Sequence, residues 1–137
     1  MTAFLAILLL YFNFANGENF EELYAVGKES YLSNDWSQCV KYMERALKDY
    51  KMYNSEVTKC KMKCRKLMAK EPNLFEKNIE NLHFFEEAVR NTLCIMKCKR
   101  ETFGPNRVEQ VTAKVLKDFD EKLPYDYLQL CYFQERP

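Results

Sequence analysis

Four of the six cysteines come as two pairs with one spacing. Cys60 and Cys64 lie in TKCKMKCRK, and Cys94 and Cys98 lie in TLCIMKCKR. A spacing of four puts both members of a pair on one helix face, one turn apart. Two such helices packed antiparallel match the pairs inside out, Cys64 with Cys94 and Cys60 with Cys98, because each step rises by about 6 Å. Each bridge would add about 2–4 kcal/mol. Other readings stay open at this point. Four thiolates fit the count for a structural zinc site, although such sites are normally built from C-x-x-C knuckles. A thioredoxin-like redox site also needs C-x-x-C, which is absent. Plain buried thiols remain as well. Cys39 and Cys131 stand apart, as two small buried hydrophobes or as a third bridge.

The start of the chain bears on that choice. Met1 to Gly17 carries no charged residue, and AFLAILLLYFNF is nearly all apolar. Ala15 and Gly17 put small residues three and one before a cut between Gly17 and Glu18. This is the outline of a secretory signal peptide over residues 1–17. The apolar run of about 12 residues is short of the ~20 needed to cross a bilayer. No membrane span is expected after leader removal. The mature chain, 18–137, then enters an oxidising compartment, where cysteines pair.

Along the mature chain no strict apolar/polar alternation appears. Leu, Met, Lys, Glu and Ala are plentiful while Val and Ile are sparse, which favours helices. Breaks fall at Ser33-Asn34-Asp35, Glu71-Pro72-Asn73, Phe103-Gly104-Pro105-Asn106 and Leu123-Pro124. The pattern predicts helices over Phe20–Leu32, Trp36–Tyr50, Asn54–Ala69, Ile79–Arg100, Arg107–Glu121 and Tyr125–Phe133, hence an all-α fold of antiparallel pairs. Tyr53, Val57, Cys60, Cys64 and Leu67 share one stripe of their helix. Phe84, Ala88, Ile95 and Cys98 share one side of theirs.

The first pair has a specific shape. The phrase VGKESYLSNDWSQCVKYMERAL resembles a tetratricopeptide repeat. Val26-Gly27 stands where that family has leucine-glycine, Cys39 where it has a small residue at the helix crossing, then Met43 and Ala46 follow in register. Glycine and small residues permit a short interaxial distance, with Tyr31, Trp36 and Met43 filling the space beside them. A lone repeat does not bury its apolar face. The expected fold is therefore tetratricopeptide-like antiparallel hairpins, stapled by disulfides.

Charge and histidine content narrow the function. Lys+Arg is 21 against Asp+Glu 20, a net charge of +1, which gives no field for nucleic acid. His83 is the single histidine, so no two-histidine iron or zinc site can form within this sequence. Its position predicts a helix-start residue in contact with the core. The three glycines stand far apart and make no phosphate loop. The sequence thus points to a binding module with no catalytic residue, no metal and no cofactor. The basic run Lys59 to Lys70 reads as a solvated helix face beside the cysteines, with an anionic partner as the rival reading. Tyr24, Tyr125 and Tyr127 are candidates to line a groove for an extended peptide.

The order of features is similar to the amino-terminal helical domain of the leprecan family, which holds the collagen prolyl 3-hydroxylases and cartilage-associated protein. The matching phrases are the Trp36 turn leading into MERAL, both C-x-x-x-C pairs and PYDYLQLCYF, over Glu22 to Phe133. The resemblance implies a protein of the endoplasmic reticulum lumen, or a secreted one, in collagen biosynthesis. Its partners would be procollagen chains or a collagen-modifying enzyme, a prolyl 3-hydroxylase or a cyclophilin-type isomerase. Cys39 and Cys131 depart from the family pattern. PYDYLQLCYF looks like the first helix of a further repeat whose second helix is missing. The expectation is a short or truncated, non-enzymatic member. The alternatives are the front end of a prolyl 3-hydroxylase whose iron and 2-oxoglutarate domain is missing here, and an unrelated secreted, disulfide-stapled helical protein.

Overall fold

The computed structural model describes residues 19–74, 80–104, 107 and 111–136. The proposed signal peptide lies outside the described residues. Helix α1, Phe20–Leu32, starts on a capping box. Asn19 Oδ1 accepts from the Glu22 N–H at 3.0 Å, and Glu22 Oε2 accepts from the Asn19 N–H at 3.3 Å. Two otherwise orphaned donors are satisfied reciprocally. The helix ends where Asn34 adopts a left-handed conformation, φ 60°. Asp35 then opens the next helix, its Oδ1 accepting from the Gln38 N–H at 3.2 Å.

Helix α2, Trp36–Met68, is one continuous helix of 33 residues. This corrects the expected division between Tyr50 and Asn54. Asn54 and Ser55 are weak helix formers, but each costs under about 1 kcal/mol. Neither glycine nor proline interrupts the run. Once a helix is nucleated each further residue adds a hydrogen bond, and buried Tyr53 and Val57 carry the packed stripe straight through the region.

Helix α3, Glu80–Phe103, ends at Gly104, whose φ of 78° suits a glycine and whose N–H bonds to the Arg100 carbonyl at 2.9 Å. Helix α4, Ala113–Asp120, covers the later part of the expected Arg107–Glu121; Arg107 is helical, but residues 111 and 112 are not. Thr112 sets its start, with its Oγ1 accepting from the Val115 N–H at 3.4 Å; residues 108–110 of the expected stretch lie outside the described residues. Helix α5, Leu123–Glu135, carries Pro124 in its first turn, where a missing N–H costs nothing.

The chain divides into two compact units: the residues up to Leu47 with those from Asp120 onward, and Lys48–Phe119. In the first unit Phe20, Tyr24, Cys39, Met43 and Cys131 are buried. Gly27 faces Met43 so closely that a Cβ there would lie 2.9 Å from Met43 Cε. The hairpin glycine thus leaves the space that the Met43 side chain fills. Cys39 at the crossing is bridged to Cys131 of α5, Cα atoms 6.2 Å apart. In the second unit Tyr53, Val57, Cys60, Cys64 and Phe119 form the core. Tyr53 stacks on Phe103 at 5.0 Å between centroids, and Tyr50 meets Phe119 at 4.6 Å. Leu67 and Phe84 are not core: they are 40% and 67% exposed, at the ends of their stripes.

Candidate functional site

The cysteines fix the frame on which any site is carried. Cys60 is bridged to Cys98 and Cys64 to Cys94, with Cα separations of 5.7 and 5.8 Å. This is the inside-out pattern of two antiparallel helices. No cysteine is free, so no thiolate remains for zinc or for exchange chemistry. Among the described residues no group of three His, Cys, Asp or Glu side chains is placed to hold a metal ion. His83 contacts Asn73 through Nε2 at 3.3 Å and lies 3.3 Å from Glu87. The link between α2 and α3 is held by Arg90, which donates to Glu71, to Glu86 at 3.2 Å and to the Pro72 carbonyl at 3.1 Å. Glu86 also accepts from the Leu74 N–H at 2.7 Å.

The three candidate tyrosines do not form one groove. Tyr24 is 1% exposed and belongs to the core. It meets Tyr127 edge-on at 6.2 Å, and Tyr127 meets Tyr31 at 5.3 Å, with Tyr31 edge-on to Trp36 at 5.8 Å. Tyr127 and Cys131 therefore face inward. On a helix two residues apart means about 200° of rotation, so Tyr125 faces the other way.

On that outer face of α5 Tyr125, Leu128, Gln129, Tyr132, Phe133 and Arg136 line a shallow depression of about 680 Å³. Tyr125 is 43% exposed, Tyr132 40% and Phe133 71%. Tyr132 donates its phenol proton to the Glu44 carboxylate of α2. That bond, with desolvation and then the negative charges of Glu44 and Glu135, raises the phenol above its ordinary value. The bond to Glu44 anchors the ring beside α2, with Gln129 and Arg136 at the rim of the depression. Sequence reasoning found Tyr125 in this face and missed Tyr132 and Phe133. The signal was present in the spacing 125, 128/129, 132/133, 136, one step per helical turn.

A second depression, of about 520 Å³, lies in the other unit, where Lys61, Arg65 and Met68 of α2 approach Phe84, Ala88 and Ile95 of α3. The basic residues from Lys59 to Lys70 are all exposed, and Lys59 pairs with Glu56 at 2.6 Å. They form a solvated face, two of whose members edge this depression.

Comparison with known proteins places these features. Residues 19–136 match the Leprecan family TPR-like repeat region. The chain is 30% identical over 120 residues to prolyl 3-hydroxylase 2 of Gallus gallus, a match covering 85% of this chain and 17% of that protein. It is 29% identical over 117 residues to prolyl 3-hydroxylase 1 of Gallus gallus, covering 83% and 15%. It is 26% identical over 114 residues to cartilage-associated protein of Homo sapiens, covering 83% and 28%. The chain thus spans less than a third of these relatives.

Proposed function

This chain belongs to the leprecan family through its tetratricopeptide-like repeat region, and from that premise we propose that it is a non-catalytic helical binding module of collagen-modifying machinery in the endoplasmic reticulum, residues 18–137 acting as the module once the leader is removed. The outer face of α5 carries the reading: Tyr125, Tyr132 and Phe133 stand exposed along one helix face with Gln129 and Arg136 at the rim. Collagen chains before triple-helix formation are extended and proline-rich. Proline rings of a polyproline-like segment lie well on aromatic platforms, and such a ligand loses little entropy on binding. Tyr125, Gln129, Tyr132 and Phe133 lie within PYDYLQLCYF, one of the phrases that carry the resemblance to the leprecan family. No iron or 2-oxoglutarate chemistry is assigned to the chain, because its single histidine cannot supply a two-histidine, one-carboxylate set.

The test is titration of an extended procollagen peptide against the oxidised mature chain. Binding is expected, and Phe133→Ala is expected to weaken it about tenfold, as loss of an exposed aromatic anchor does. Equal affinity for the variant removes the α5 face from the proposal. The same peptide incubated with the chain, iron and 2-oxoglutarate is expected to show no hydroxylation; turnover above a no-protein control contradicts the non-catalytic assignment. A second reading is favoured by the 15–17% shares of the hydroxylases covered: the chain corresponds to one repeat-bearing part of a hydroxylase, and its binding face serves a catalytic domain encoded further along. A transcript that continues into such a domain decides for it.

A further inference from the structure

Helices α2 and α3 leave a groove along one flank of their two bridges, and its charge is one-sided. It is the depression of about 520 Å³ in the Lys48–Phe119 unit. Cys60–Cys98 and Cys64–Cys94 hold the helix pair at Cα separations of 5.7 and 5.8 Å, so the groove exists before anything enters it. Met68, Phe84, Ala88 and Ile95 give it an apolar lining, and Lys61 and Arg65 stand along one edge. The antiparallel register set by the bridges puts Lys61 and Arg65 level with the stretch of α3 around Ile95, and Met68 level with the stretch around Ala88. The groove therefore has a cationic half and an apolar half.

The protein does not neutralise those cations. The sequence from Val57 to Lys70 holds six basic residues and no acidic one. The side chains of Lys61 and Arg65 are exposed and make no ion pair among the described residues. Among the described residues that line the groove Glu87 alone is acidic, and it lies 3.3 Å from His83 Nε2. Like charges four residues apart oppose each other on a helix; an anion seated between them turns repulsion into attraction. Asn91 selects the kind of anion. Its Oδ1 is buried in the groove wall and meets no donor among the described residues. A buried acceptor left unpaired is costly. A peptide N–H supplies the donor, whereas the alkyl chain of an anionic amphiphile has none. Two acidic residues at alternate positions of an extended peptide stand about 6.6 Å apart on one side, close to the ~6 Å step from Lys61 to Arg65. We propose that the groove between α2 and α3 docks an extended acidic segment of a partner protein, its carboxylates on Lys61 and Arg65 and its neighbouring apolar side chains over Met68, Phe84 and Ala88.

The proposal does not rest on collagen binding, and its probe contains no proline, so either can fail alone. The mature chain, oxidised in a secretory host, is titrated into the fluorescein-labelled peptide amide DEDLL at low ionic strength, with anisotropy as the readout. Saturable one-to-one binding is expected, and no binding overturns the proposal. Lys61→Glu/Arg65→Glu, at two exposed positions, is expected to weaken it at least tenfold at unchanged helix content. Lys63→Glu/Lys66→Glu makes the same charge change about 160° and 140° round the helix axis from Lys61, and is expected to weaken it by about threefold or less. Equal loss in the two variants means attraction to the basic run as a whole and overturns the groove. The peptides DEDSS and KRKLL are each expected to bind at least tenfold more weakly than DEDLL; equal affinity for either contradicts the assignment. Laurate in excess is expected to leave the peptide bound. Its displacement of the peptide would assign the groove to an acyl anion, which also contradicts the proposal.

Discussion

Gly27 is the residue on which the first hairpin turns. Alanine in its place gains about 1 kcal/mol of helix propensity. Against that, the new Cβ would lie 2.9 Å from Met43 Cε, 3.1 Å from Sδ and 3.2 Å from Cγ. The end of a methionine is normally adaptable, but Met43 is fully buried. Overpacking of this kind costs about 1–3 kcal/mol, so Gly27→Ala is expected to destabilise the protein by about 1 kcal/mol net. The contact can be isolated. In a Met43→Ala background nothing opposes the new methyl group, and the same substitution should become stabilising by about 1 kcal/mol. Denaturant unfolding of the four proteins of this cycle gives both values; an equal cost in both backgrounds means that Gly27 is kept for some reason other than Met43. Sequence alone located this glycine because its register with Cys39, Met43 and Ala46 is a packing pattern, which local residue spacing records.

At the level of elements the helices were legible where side chains or backbone freedom mark an end. Asn19 with Glu22, the Asn34 turn, Gly104 and Pro124 each leave a chemical sign, and the helices start or stop beside them. The continuity of α2 is hidden in the sequence because Asn54 and Ser55 look like a start signal. An N-cap residue stabilises a terminus but does not create one inside a helix whose buried stripe continues. The separation of the candidate tyrosines is hidden for a related reason: Tyr125 and Tyr127 are near in sequence and opposite on a helix. Proline distinguishes the two readings of α2. At the first position of a new helix, Ser55→Pro would be tolerated. Inside a continuous helix it removes a hydrogen bond and its ring meets the carbonyl of residue 51, at a cost of about 3 kcal/mol or more. Ser55 is exposed, so no packing loss confuses the comparison. The expected result is a loss of that size in urea unfolding, and a change below about 1 kcal/mol would restore a break at Asn54.

Across the whole molecule the three bridges are nested, and nesting ranks them. Cys39–Cys131 encloses Cys60–Cys98, which encloses Cys64–Cys94. A cross-link stabilises mainly by restricting the unfolded chain, and the restriction grows with the loop it closes. With the other two bridges intact, Cys39–Cys131 closes the 21 residues from Cys39 to Cys60 and the 33 from Cys98 to Cys131, about 54 in all, worth about 4 kcal/mol. Cys64–Cys94, inside a chain already closed by Cys60–Cys98, adds a ring of only four residues on each side, worth about 2.5 kcal/mol. Burial acts in the same direction. Cys39 and Cys131 are both fully buried, whereas in the inner pair Cys64 is buried and Cys94 half-buried, so replacing the outer pair also leaves the larger void. The double variant Cys39→Ala/Cys131→Ala is therefore expected to lose more stability than Cys64→Ala/Cys94→Ala, by roughly 1–2 kcal/mol. Guanidinium unfolding of the two oxidised variants at a common m-value measures the difference. The reverse order would mean that the unfolded chain keeps its outer ends together without help. The predicted order gives the two cysteines that lie outside the recurring C-x-x-x-C pattern the larger part of the cross-link stabilisation, and it places that part on α5, the helix that carries the exposed aromatic face.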